Sequence, residues 1–258
     1  MILVIGATGT IGTQLVYQLI EGSYPVRTFT RSPEKAAKFG HKVGVAIGDL
    51  DDIETLARAM RGVKRCFLIT GGTKQDQNAL EAAKKTGVEH VVKISTQEAG
   101  WTPVQGHGHW HKEREELLRA SGLTWTFLRP CMYMNFALSW VESIRAENAI
   151  YSGGGTGKLG AVDPRDVAAV AKAALIMPGH ENTAYELTGP ELLSFGDMAA
   201  ILSKVTGRQI RHIDISDTEQ GEFFSKMGVP EYTVDGLVET FSLIREGWAR
   251  ENFGASFA

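Results

Sequence analysis

Short runs of apolar residues alternate with longer stretches in which apolar positions recur every three to four residues. The first run, Ile2-Leu3-Val4-Ile5, is apolar throughout, as a parallel strand covered on both faces must be. Ile11, Leu15, Val16 and Leu19 follow at helical spacing and mark one face of a helix over 9–19. The same rhythm predicts further strands at 26–30, 44–47, 66–69, 90–94 and 124–128, with helices at 33–38, 53–60, 75–85 and 111–120 between them. Six strands separated by helices form βαβ units, so the fold class is α/β: a doubly wound parallel sheet with right-handed crossovers. From about Ile150 the rhythm loosens. A helix over 163–177 has Pro164 in its first turn, a strand covers 184–187, and Ser194 opens a helix over 195–206. A strand over 209–215 precedes Ser216-Asp217-Thr218-Glu219, a capping-box pattern at the start of a helix that holds Phe223 and Phe224. This organisation predicts a first domain over 1–150 and a smaller C-terminal α/β lobe over 151–258. The lobe is interleaved with the first domain and covers the carboxyl ends of the strands, where open α/β sheets bind ligands.

Between the first strand and the first helix stands Gly6-Ala7-Thr8-Gly9-Thr10-Ile11-Gly12. A strand, a glycine turn and a helix start at one point aim backbone N–H groups and a helix dipole at an anion. The spacing G-x-x-G-x-x-G is one residue wider at its first step than the dehydrogenase fingerprint. It serves the same needs: a tight turn, close backbone approach to a pyrophosphate, and close packing of helix on strand. The expectation is a Rossmann-type dinucleotide site, with Gly6, Thr8, Gly9, Thr10, Ile11 and Gly12 around the phosphates.

Composition narrows the partners. With 43% hydrophobic and 22% charged residues the chain is an ordinary globular one, and a net charge of −3 with scattered basic residues gives no footprint for nucleic acid. No apolar run reaches the roughly 18 residues of a membrane span. Cys66 and Cys131 lie far apart in apolar surroundings and suit reduced thiols, so a soluble, cytoplasmic protein is expected. Self-association into a homodimer is left open.

The second strand ends in Thr30-Arg31-Ser32-Pro33, with no acid before Glu34. An acid at this place reads a bare ribose hydroxyl, whereas the guanidinium of Arg31 suits a 2′-phosphate, so NADP(H) is expected over NAD(H). Asp49 and Leu50, after the third strand, suit the adenine, although Asp49 equally suits a cap for the helix at 53. Thr70 and Gly71 end the fourth strand with little bulk, as a backbone lying along a cofactor requires, or as a plain turn would. Gly106-His107-Gly108-His109-Trp110-His111 places alternate histidines on one side if extended; no Asp, Glu or Cys completes a set, and no metal is expected. Tyr133, Met134, Asn135 and Phe136, after the sixth strand, and Trp101 and Trp110 offer flat apolar groups for an aromatic substrate, or ordinary core packing.

In order along the chain, several segments resemble the NmrA-like atypical short-chain dehydrogenase/reductases over nearly its whole length. They are the glycine turn, Thr30-Arg31, Gly48-Asp49, Val92-Lys93-Ile94-Ser95, Ser121-Gly122-Leu123-Thr124-Trp125-Thr126, Leu128-Arg129-Pro130 with Asn135, Asp163-Pro164-Arg165-Asp166-Val167-Ala168, and Tyr185-Glu186-Leu187-Thr188-Gly189-Pro190. The branch it is most similar to is that of NAD(P)H quinone oxidoreductases and triphenylmethane-dye reductases. The resemblance adds Ser95 to the cofactor residues. Ordinary members of the wider superfamily use Tyr-x-x-x-Lys, but Tyr17, Tyr24, Tyr133, Tyr151, Tyr185 and Tyr232 are followed at that spacing by Glu21, Thr28, Ala137, Gly155, Gly189 and Gly236. In related proteins a lysine often opens the helix after the fifth strand, where this chain has His111 followed by Lys112. Either is a candidate proton donor, with Asn135 as a third catalytic candidate.

The resemblance implies hydride transfer from NADPH to a quinone or another conjugated aromatic acceptor. Because the product oxyanion of a quinone is delocalised, that chemistry runs without a Tyr–Lys pair. It also implies two alternatives: a cofactor-binding redox sensor that does not turn over, and a biosynthetic reductase of a polycyclic aromatic ketone.

Overall fold

Four consecutive apolar residues without a polar face are stable only between two neighbouring strands and between two layers of side chains, and Ile2–Ile5 is found there. The computed structural model describes residues 1–248. Its elements run β1 (Ile2–Ile5), α1 (Thr10–Glu21), β2 (Val26–Thr30), α2 (Pro33–Ala36), β3 (Gly44–Ile47), α3 (Ile53–Met60), β4 (Arg65–Leu68), α4 (Thr73–Thr86), β5 (His90–Ile94), α5 (Gly108–Ala120) and β6 (Thr124–Pro130). They continue with α6 (Val141–Glu147), β7 (Ala149–Ser152), β8 (Lys158–Leu159), α7 (Pro164–Ile176), β9 (Thr183–Leu187), β10 (Leu193–Ser194), α8 (Phe195–Thr206), β11 (Arg211–Asp214), α9 (Asp217–Lys226) and α10 (Glu231–Arg245). Short 3-10 segments lie at Ala37–Lys42, Gln97–Gly100 and Met134–Trp140.

The chain divides into two units, each made of three segments. The first comprises 1–95, 112–129 and 164–185. Its sheet has the order β3-β2-β1-β4-β5-β6-β9, with parallel pairing from β3 through β6, so the direction of winding reverses between β1 and β4. Helix α1 packs on α7, and α3 on α4. Leu3, Ile5, Leu56, Met60, Leu68, Leu80 and Phe127 share one hydrophobic core. Burying each such side chain contributes about 1.5–3 kcal/mol, so this core fixes where the strand ends and their loops lie.

The second unit comprises 96–111, 130–163 and 186–258, of which the last ten residues, 249–258, lie outside the described ones. Strand β7 pairs parallel with β11, and β8 antiparallel with β10. An aromatic core holds it together: Phe195 stacks on Phe241 at 5.5 Å, and Phe136 meets Trp140 edge-on at 5.3 Å. Ser194 and Ser216 each form the reciprocal capping box with the acid three residues on, as their sequence patterns predict.

Three differences from the sequence reading have physical causes. The sheet has seven strands rather than six, because the strand expected in the C-terminal lobe, β9, lies beside β6; the Asn182 N–H donates to the Trp125 carbonyl at 2.7 Å and starts that edge. A strand's local pattern does not name its partner. Helix α5 starts at Gly108 rather than 111, so the histidines are not on an extended segment; a Cβ at Gly108 would stand 2.5 Å from the Glu98 carbonyl. Asp52, not Asp49, caps α3, accepting from Glu54 N at 2.9 Å and Thr55 N at 3.3 Å. The sequence pattern also does not mark α6, β7, β8, β10 and α10, of which all but α10 are at most seven residues long.

Candidate functional site

At the switch point between β1 and β4 the chain turns through Gly6, whose φ of +83° suits only glycine comfortably, and whose added Cβ would stand 2.9 Å from that of Ile69. Gly12 sits over the same turn. A Cβ there would lie 2.1 Å from the Gly6 carbonyl oxygen and 2.8 Å from Ala7 Cα, so the first turn of α1 rests directly on the loop. Gly9 N donates to Gly6 O at 3.1 Å, and the first helical bond runs from Thr13 N to Gly9 O at 2.9 Å. The N–H groups of Thr10, Ile11 and Gly12 therefore precede the helical ladder and have no intrahelical acceptor. No side chain caps Gly9 and no acid stands in the first turn. Gly9 and Thr10 are exposed, Thr8 is half-buried, and Ile11 faces the core. This is a cradle of donors with positive dipole and no competing carboxylate, which favours an anion.

Arg31 is exposed just past β2 and forms no ion pair with a described residue. The Thr30 hydroxyl shapes that turn, accepting from Ser32 N at 3.1 Å. Lys38, which the sequence reading missed, donates from Nζ to Thr13 Oγ1 at 2.8 Å and so brings a cation to the first turns of α1. It lies in the 3-10 segment into which the helix expected over 33–38 passes after Ala36. Asp49 braces the loop after β3, its Oδ1 accepting from Asp51 N at 3.0 Å and its backbone exchanging bonds with the Thr55 hydroxyl. Leu50 is half-buried against the core of the first unit.

Beyond β4, the Thr70 hydroxyl donates to Asp76 Oδ1 at 2.5 Å and Gly71 N donates to Gln75 Oε1 at 2.9 Å. Beyond β5, Ser95 is buried; its N–H donates to Leu128 O at 2.7 Å and its hydroxyl to Glu115 Oε1 at 2.6 Å. The structure thus gathers Gly6 to Gly12, Thr70, Gly71 and Ser95 at the carboxyl ends of the adjacent strands β1, β4 and β5.

In the second unit, His111 and Trp110 join two residues the sequence reading did not select. His111 Nε2 lies 3.2 Å from His107 Nε2, Trp110 stands edge-on to the His111 ring at 4.7 Å, and Tyr232 of α10 approaches Trp110 at 6.3 Å. Lys112, one residue further along α5, faces elsewhere and pairs with Glu116 at 3.4 Å. Tyr133 bridges to Val162, and burial, then the neighbouring Glu98 carboxyl, pushes its phenol above the usual range, so it stays protonated. Burial likewise raises the Glu98 carboxyl, which receives the Thr96 hydroxyl. Met134 and Asn135 are exposed, while Phe136 packs into the aromatic core and Trp101 is buried against Trp248 at 4.9 Å. Burial pushes the thiols of Cys66 and Cys131 up to about 12, which leaves neither as a nucleophile. Among the described residues no group of three or more His, Cys, Asp or Glu could hold a metal ion.

A doubly wound sheet with a donor-lined glycine turn at its switch point defines a dinucleotide-binding α/β protein. The chain belongs to the NAD(P)H-binding family, whose model matches residues 6–178. It is similar to an NAD(P)H azoreductase from Xenophilus azovorans, 37% identical over 249 residues that span 94% of this chain and 87% of that one. Among solved structures it is similar to Citrobacter sp. triphenylmethane reductase complexed with NADP(H), with 29% identity, a TM-score of 0.80, and coverage of 96% of this chain and 90% of that one. It is also similar to the NADPH-dependent quinone oxidoreductase of Escherichia coli complexed with NADPH, with 27% identity, a TM-score of 0.85 and the same coverage of 96% and 90%. The resemblance read from the motifs is borne out. No helix among the described residues is long and apolar enough to cross a membrane.

Proposed function

We propose that this protein is an NADPH-dependent reductase that passes hydride to a quinone or another conjugated aromatic acceptor, azo and triphenylmethane dyes among them. The observation that carries this reading is the turn packed so closely under Gly12 that an added Cβ would stand 2.1 Å from the Gly6 carbonyl oxygen, joined to relatives that reduce such acceptors. The cradle fits a pyrophosphate: the N–H groups of Thr10, Ile11 and Gly12 point out of α1 and no carboxylate opposes the charge. Arg31, supported by Lys38, holds the 2′-phosphate, Asp49 and Leu50 receive the adenine, and Thr70, Gly71 and Ser95 line the rest of the dinucleotide. When bound, the dinucleotide supplies hydride from nicotinamide C4.

This chain's own part is to orient, to exclude water and to move a proton. His111 is the proton donor we favour, since its ring sits between His107 and Trp110, which Tyr232 approaches in turn, while Lys112 pairs with Glu116 on the exposed side of the helix. Trp110, Tyr133 and Met134 frame the flat acceptor, Asn135 orients its polar edge, and the buried Trp101 and half-buried Phe136 support them. The cytoplasm suits two free thiols, and light scattering would read a homodimer.

The test is to follow the nicotinamide absorbance while the protein meets NADPH and a panel of quinones, azo dyes and ketones. Acceptor-dependent oxidation supports the reading. NADPH bound tightly but oxidised by no acceptor supports a cofactor sensor instead.

A further inference from the structure

A lysine in the middle of a strand buried on both faces is an anomaly, and Lys93 of β5 is fully enclosed. Its Nζ donates to Asp76 Oδ1 at 2.9 Å from the inward face of α4, and Arg114 of α5 donates from Nε to the other carboxylate oxygen; the three side chains are at most 2% exposed. Glu115, next along α5, accepts from Ser95 Oγ at 2.6 Å and from Arg129 of β6 at 2.9 and 2.7 Å. Two carboxylates and two cations, Lys93 and Arg114, are thus buried in the first unit, and Arg129 and the more exposed Arg119 reach Glu115 at 2.7 and 3.3 Å.

Charges are costly to bury, and exchanging a buried ion pair for well-packed apolar side chains is often neutral or stabilising. Stability alone therefore does not explain the cluster. What apolar packing lacks is direction, and these bonds have it. Arg114 donates to the Thr70 carbonyl at 3.0 Å and to the Thr70 hydroxyl, which in turn donates to Asp76; Glu115 takes the Ser95 hydroxyl. Thr70 follows β4 and Ser95 follows β5, and these strands are neighbours at the sheet edge where ligands bind.

We propose that Asp76 and Glu115 are positioning residues, two buried carboxylates that hold the Thr70–Gly71 backbone and Ser95 in the geometry that receives the dinucleotide. This rests on the reading of the first unit as an NADPH site. Each carboxylate acts through a partner: Asp76 through Thr70 and Arg114, Glu115 through Ser95 and Arg129.

The test replaces the triad with apolar side chains in the variant Asp76→Leu, Lys93→Met, Arg114→Met. The expected result is a Tm within about 4 °C of wild type, with NADPH bound at least about tenfold more weakly. The emission of the bound nicotinamide should be altered, and kcat on a quinone lowered by up to about 10²-fold, the cost of a misplacement near 1 Å. A folded variant with wild-type Kd, emission and kcat overturns the proposal. Should the triple variant not fold, Glu115→Gln reads the same three quantities, and wild-type values there overturn it too, as does failure of both to fold, which makes the charges structural. Gly9→Asp separates the two ideas: loss of binding there with normal binding in the triple variant rejects the positioning role alone, and retained binding there rejects the NADPH site itself.

Discussion

His111 Nε2 lies 3.2 Å from His107 Nε2, so the two imidazoles share one hydrogen bond in which one ring donates and the other accepts. In the proposed role His111 is the group that gives a proton to the acceptor. Removing His111 should therefore cost more in turnover than in binding. His111→Ala is expected to lower kcat on a ketone by about 10²- to 10⁴-fold, and on a quinone by less, because the delocalised oxyanion needs less help. Lys112→Ala, which breaks only a surface pair with Glu116, should leave both rates near wild type. Steady-state rates on the two acceptors decide it; equal, wild-type rates in His111→Ala would return this histidine to a structural role.

Arg31 offers an uncommitted guanidinium where an acid would otherwise read the ribose. A charge-assisted hydrogen bond contributes about 1.5–3 kcal/mol, so Arg31→Ala should weaken NADPH by roughly 10- to 150-fold and leave NADH little changed. Lys38→Ala should show the same sign with a smaller size. Equal losses for both cofactors, measured by fluorescence titration, would mean that the arginine serves the fold.

Much of this was legible in the chain. The β1–α1 unit reads directly because Ile2–Ile5 is apolar on both faces and Ile11, Leu15, Val16 and Leu19 keep strict helical spacing, so local pattern and tertiary role coincide. The capping boxes at Ser194 and Ser216 read equally well, since both partners lie three residues apart. What the sequence hides is non-local. Nothing around Thr183–Leu187 says that its partner is β6, and nothing around Asp76 or Glu115 distinguishes them from the solvated acids that occupy most helices. Only Lys93, a charge inside an apolar strand, signals the buried cluster, and it does so without naming its partners.

Gly12→Ala should be far more harmful than an ordinary glycine change. Its Cβ would meet backbone at 2.1 Å, where no flexible side chain can give way, so a loss of about 1–3 kcal/mol in stability and a marked loss of NADPH affinity are expected. Gly72→Ala, whose Cβ would enter open space, should stay within about 0.5 kcal/mol of wild type. Urea denaturation of both variants makes the comparison, and equal midpoints would contradict the close packing of α1 on the turn.

Burial lowers the Lys93 ammonium from 10.5 to about 8, although Asp76 opposes the shift. Between about pH 8 and 10.5 the unfolded chain therefore binds more protons at this residue than the folded one, so the stability it contributes rises with pH. Asp76 behaves in the opposite range. Burial would raise it, but Lys93, Arg114 and Thr70 outweigh burial and hold it below 3.8, so its contribution is present above that pH and is lost as the pH falls through the lowered value. The unfolding free energy of wild type minus that of Lys93→Met should grow from pH 8 to pH 10; a flat or falling difference would contradict the buried ammonium.

The turn from Gly6 to Gly12 is proposed to hold NADPH through its backbone N–H groups. Calorimetric titration of NADPH into wild type and into Gly9→Asp, with circular dichroism to show that both are folded, tests it most directly, because the aspartate sets a negative charge where phosphate must lie. One site per chain is expected in wild type and no measurable binding in a folded Gly9→Asp; unchanged affinity in the folded variant would place the dinucleotide elsewhere.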